Sequence, residues 1–141
     1  MSSYVDHVVS RDVSLVGAVR DPVRLRRYLQ AVAASTGGMP TMKTLVDATG
    51  IDRATASAYD GLLEHLFITE RLPAWSANRL NRLVRLSKRH LVEPALVGPL
   101  LGVDARAVLR DGDLLGRVLD RLSLTDEAQE MYRRGRELGG L

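Results

Sequence analysis

The side chains best equipped for chemistry are few and scattered. His7, His65 and His90 lie in three different segments, and none stands at ligand spacing from a pair of carboxylates. A transition-metal site needs several such groups converging on one point. His65 falls beside the apolar face of a predicted helix and reads as a half-buried residue at the core edge. Ser57, Ser76 and Ser87 lack the Gly-x-Ser-x-Gly turn that raises a serine nucleophile above a sheet. Asp111 and Asp113 flank Gly112, but a calcium loop needs more oxygen ligands and a closing glutamate, so helix capping explains them better. Neither Gly17 nor Gly37-Gly38 follows a strand and opens a helix, as a phosphate cradle would. The absence of cysteine excludes thiol nucleophiles, thiolate metal sites and disulfides. The expectation is a non-enzymatic chain with no cofactor and no metal.

What remains is charge. Arg79, Arg82, Arg85, Lys88 and Arg89 fall within eleven residues that contain no acid. The whole chain carries a formal charge of +3, so the rest of it is net acidic. Concentrated positive charge of this kind suits a polyanionic partner such as duplex DNA.

These residues need elements to hold them, and the chain is long enough to bury a real core. Its apolar content is 45% but its aromatic content only 4%, so that core must be mainly Leu, Val and Ala. Ser2 to Ser10 reads as a short helical lead-in. Asp21-Pro22 is a helix start, with Asp as the cap and Pro in the first helical position. The helix it opens should turn Val23, Leu25, Leu29 and Val32 inward and Arg24, Arg26 and Arg27 outward, ending at Gly37-Gly38. Thr41 caps a second helix with Met42, Leu45, Val46 and Ala48 at helical spacing. Gly50-Ile51-Asp52 interrupts it, and a third helix places Ala56, Tyr59, Leu62, Leu63 and Leu66 on one face. Two short helices divided by such a turn have the form of a helix-turn-helix.

Leu66 to Leu72 alternates as a strand and Pro73 closes it. Arg82–Leu86 and Arg89–Val92 read as the arms of a hairpin around Ser87-Lys88, with Trp75 packing beneath. From Pro94 the chain is helical again, in short pieces capped by Asp104 and Asp111. Ser123 to Leu138 carries seven charges and few apolar positions, so it should bury little surface. The predicted class is mainly α with a small β-hairpin: a winged helix-turn-helix in residues 1–103, followed by C-terminal helices in 104–141. Neither a secretory signal nor an apolar run of spanning length occurs, so no membrane partner and a cytoplasmic location are expected.

The order of these signals resembles a known family. Its carrying residues are Arg11-Asp12-Val13, LVDATGID (Leu45 to Asp52), TASAYDGLLE (Thr55 to Glu64), ITERLPAW (Ile68 to Trp75), Glu93-Pro94-Ala95-Leu96 and LLG (Leu100 to Gly102). The resemblance, over about Tyr4 to Gly102, is to the domain of unknown function that follows the nucleotide-binding module in prokaryotic AAA-type ATP-binding proteins. That family usually has Pro-Lys where this chain has Ser87-Lys88. No phosphate loop of the form GxxxxGK[ST] occurs, so the ATPase half is missing and the chain resembles a truncated central fragment. The resemblance implies a winged-helix-like part and a protein partner, either an ATPase module or a second copy.

Two functions follow. The first is weak, low-specificity DNA binding through Arg53, Thr55 and Ser57 at the start of the third helix, and through Arg79, Arg82, Arg85, Lys88 and Arg89 on the wing. Against base-specific reading, Asp52, Asp60 and Glu64 place three carboxylates on or beside that helix, with Asp60 and Gly61 expected outward. The wing's charges equally suit protection of an exposed strand edge. The second function is a protein-interaction or docking module without DNA binding.

Overall fold

Asp21 and Pro22 open the first core helix. The structure is a computed structural model and describes residues 6–7, 20–73, 80, 86–119 and 122. The Asp21 carboxylate accepts hydrogen bonds from the Val23 and Arg24 N–H groups, each at 3.1 Å, satisfying two of the donors that a helix start leaves open. Helix α1 (Pro22–Ala34) then buries Leu25, Tyr28, Leu29, Val32 and Ala33. Val23, expected inward, is 71% exposed. It precedes Leu25 by two residues, which is about 200° around a helix, so the two cannot share a face.

Helix α2 (Met42–Thr49) starts on Thr41, whose hydroxyl accepts from the Thr44 N–H at 3.0 Å. It ends at Gly50, which takes the left-handed conformation (φ 67°). Ala48 is exposed and Thr49 is buried in its place. The Thr49 hydroxyl donates to the Leu45 carbonyl at 2.7 Å, so its polar group is satisfied inside the helix. Ile51 plugs the turn, and Asp52 caps α3 (Arg53–His65) through the Thr55 N–H at 2.9 Å.

After α3, Phe67 N–H bonds the Glu64 carbonyl and Ile68 N–H the Leu63 carbonyl, closing the helix with Phe67 in the left-handed region (φ 56°). Strand β1 (Thr69–Leu72) then pairs antiparallel with β2 (Lys88–Leu91), Thr69 opposite Leu91 and Leu72 opposite Lys88. This corrects the expected hairpin. Among the described residues the partner of β2 is the strand after α3, and Lys88 lies within β2 rather than at the turn; residues 82–85 fall outside the described residues. Strand pairing is a non-local choice, and several short alternating segments of the sequence compete for it.

The other edge of β2 is also occupied. Gly37 N–H donates to the Arg89 carbonyl at 2.7 Å, Arg89 N–H returns to the Gly38 carbonyl at 2.9 Å, and Leu91 N–H reaches the Thr36 hydroxyl at 3.1 Å. Residues 36–38 thus flank β2 opposite β1. Gly37 has φ 74°, and a Cβ there would stand 2.9 Å from the Cβ of Arg117, so both conformation and space require glycine.

A short 3-10 turn (Pro94–Leu96) leads into α4 (Val97–Leu101) and α5 (Ala105–Arg110), after which residues 112–119 are helical. Leu96, Val97 and Leu100 complete the core laid down by α1, α2 and α3. Arg117 anchors the last helix by donating to the Ala34 carbonyl at the end of α1, 3.2 Å away. The architecture is mainly α with a small antiparallel hairpin, as the sequence pattern predicts. Among the described residues no helix is long and apolar enough to cross a membrane. Trp75, Arg79, Arg82, Arg85 and Ser123–Leu138 lie outside the described residues, as does the lead-in Ser2–Ser10 apart from Asp6 and His7.

Candidate functional site

Helix α3 divides its side chains between solvent and a buried ionic cluster. Near its start Arg53 and Ser57 are exposed and Thr55 is half-buried, with Ala54, Ala58 and Gly61 also exposed on the outer surface. Its inner surface presents Ala56, Tyr59, Leu63 and one carboxylate, Asp60.

Asp60 was expected outward and is only 2% exposed. One of its oxygens accepts the Tyr28 hydroxyl at 3.0 Å and the Arg89 guanidinium; the other accepts the Arg71 guanidinium. Arg71 also ion-pairs with Glu64. One carboxylate therefore ties α1, α3, β1 and β2 together. A charge removed from water this completely is strongly unfavourable alone, and here two cations and a phenol compensate it. Tyr28 meets the ring of Tyr59 edge-on, with centroids 6.0 Å apart. Burial, and then the Asp60 charge beside it, push the Tyr28 hydroxyl well above the ordinary tyrosine range.

The cluster corrects one predicted contact outright. Arg89 is 8% exposed and its guanidinium is turned onto Asp60, so it does not face solvent as a phosphate ligand would. Lys88, one position earlier in β2, is exposed, as strand alternation requires. His65 is exposed rather than half-buried, while the fully buried histidine is His90 in β2. Among the described residues no group of histidines and carboxylates is placed to hold a metal ion.

The cluster also changes the electrostatics of the outer face. Of the three carboxylates expected to oppose an anionic partner, Asp60 and Glu64 are drawn toward the hairpin arginines. Asp52 remains at the surface, where the Thr55 N–H bonds its carboxyl and holds it below the usual carboxylate range. A sequence signal for Asp60 existed. It is four residues from Ala56 and three from Leu63, so the arithmetic that turns those two inward turns Asp60 inward as well.

Between α4, α5 and the final helix lies an apolar groove of about 610 Å³, lined by Val97, Val103, Val108, Leu115 and Val118. Leu109 and Leu119 also line it and are 63% and 49% exposed.

Fold and site together define a small, mainly helical protein whose hairpin is locked to its helices by a buried ion cluster. Residues 1–107 match the family described as a domain of unknown function, DUF8612, and the chain belongs to that family. No curated protein and no solved structure matches the chain.

Proposed function

We propose that this chain is a winged-helix module that binds duplex DNA weakly and with low sequence specificity. The contact face is the start of α3, with Arg53, Thr55 and Ser57, together with Lys88 and the basic segment that precedes it. The observation that carries this reading is the burial of Asp60, together with the pairing of the half-buried Glu64 to Arg71. It leaves the outer face of α3 with Arg53, Ser57 and small side chains, and with Asp52, engaged as the helix cap, as the carboxylate at its start. Supporting the winged-helix assignment is the order of elements: α1, α2, α3, then β1 and β2, with the turn at 36–38 bonded to the edge of β2 opposite β1.

The test is fluorescence anisotropy with the full chain and a labelled duplex over a salt series. Replacing Arg79, Arg82, Arg85 and Lys88 together by Gln weakens binding and lowers the slope of log K against log salt by about 0.9 for each phosphate that is no longer neutralised. Arg89 is left intact because it holds the core. An unchanged salt slope would defeat the proposal.

A second reading draws on the apolar groove and on the family resemblance of the sequence. In it the chain is the docking part of a split AAA-type ATP-binding protein, the groove receiving a separately encoded ATPase module. It predicts no duplex affinity at moderate salt and a stoichiometric complex with that module in light scattering.

A further inference from the structure

The start of α3 does not stand alone. Tyr59, near the end of its second turn, places its hydroxyl 3.4 Å from the Asp21 carbonyl, bringing the beginnings of α1 and α3 side by side. Between them lies a cleft of about 300 Å³ lined by Arg20, Asp21, Arg24, Thr55, Ala58 and Tyr59. Arg20 and Arg24 are exposed, and Arg24 lies close enough for its charge to act on both Asp52 and Tyr59.

Two carboxylates border this cleft, and both are engaged as helix caps. Asp21 accepts the N–H groups of Val23 and Arg24, and Asp52 accepts that of Thr55. The caps satisfy these first-turn amides, so the amides are not what would hold a ligand here. The guanidiniums are. Arg24 reaches Asp21 only at 3.6 Å, with both side chains about half exposed. Such an exposed pair is held weakly and exchanges readily for a better anion. The Tyr59 hydroxyl has a long bond to give up, and burial raises its pKa, so it remains a neutral donor at physiological pH.

We infer that Arg20 and Arg24, with the Tyr59 hydroxyl, form a second contact for a backbone phosphodiester of the duplex, beside the contact made by Arg53. This rests on the DNA-binding reading and deepens it. The phosphate track begins some thirty residues upstream of α3 in sequence and adjoins it only in the fold. The surface is therefore wider than the helix and hairpin alone, which suits register-fixing contacts that carry no base information.

The experiment compares the full chain with Arg20→Gln/Arg24→Gln, Arg20→Lys/Arg24→Lys and Arg53→Gln, in duplex-binding salt titrations with thermal melting as a check on folding. The Gln pair is expected to melt normally and to lower the salt slope by about 1 for each phosphate that is no longer neutralised. The Lys pair restores most of it. If the Gln pair leaves the slope unchanged while Arg53→Gln lowers it, this inference fails and the DNA-binding reading stands. If the unaltered chain binds no duplex even at low salt, the reading itself fails. Inorganic pyrophosphate at matched ionic strength should leave the complex intact; displacement at micromolar concentration would assign the cleft to a free phosphate ligand and overturn the inference.

Discussion

The two halves of α3 use the same residue types for opposite ends. At its start an aspartate and an arginine, Asp52 and Arg53, lie adjacent in sequence and both face water. The aspartate closes the helix and the arginine extends outward. Two turns later Asp60 gathers Arg71 and Arg89, and the Asp60–Arg89 pair becomes part of the core. The difference lies in what packs over each half. Over the second half lies the sheet, which brings two guanidiniums to one carboxylate that also holds the Tyr28 hydroxyl; the outer surface of the first half is open. Charge on a helix is therefore not a property of the helix. Its meaning is set by the layer it meets.

The comparison can be broken most forcefully at Asp60. Asp60→Ala leaves Arg89 buried without its carboxylate and should destabilise the fold by about 3–5 kcal/mol in urea unfolding. Replacing Asp60, Arg89 and Tyr28 together by Leu, Met and Phe should recover most of that loss, because a buried ion cluster exchanged whole for apolar groups is often neutral or better. A triple variant no more stable than Asp60→Ala would show that packing, rather than the unpaired charge, governs the site.

Alkaline pH probes the same half more gently. The folded pKa of Tyr28 lies above its unfolded value near 10, so the unfolded chain loses this proton first. The stabilisation is complete below pH 10 and declines as pH rises past it, by up to about 1.4 kcal/mol per pH unit. Urea unfolding of the wild type and of Tyr28→Phe between pH 8 and 11 isolates the effect, since the variant lacks this component of the slope.

The exposed half should answer least in stability. Asp52→Ala removes the cap on the Thr55 N–H and should lower the melting temperature by far less than Asp60→Ala. The same change takes a carboxylate off the outer face, so duplex affinity should rise as stability falls. Affinity falling together with stability would place Asp52 among the binding groups instead.

What is legible in the sequence follows the range of each interaction. Asp21, Thr41, Asp52 and Asp104 are readable as caps because a cap is satisfied within three residues of itself. Gly50 is readable as a helix stop for the same reason. Arg89 was misplaced because a cation in a strand, seen alone, belongs in water, and the carboxylate that overrides this lies 29 residues earlier. The pairing of β2 with β1 is not legible locally, because the two strands are separated by a long connection. The cleft at Arg20 and Arg24 gave no local signal, since neither α1 nor α3 announces which neighbour its first turn will meet.

The sequence by itself determined the helices, their caps and stops, the mainly α character and the concentration of positive charge before β2. These rest on backbone bonds and side-chain periodicity within a few residues. Only the tertiary structure decided which charges are surface and which are core. That decision depends on the free energy of removing an ion from water, which is set by whether distant elements deliver its counter-charges to the same point.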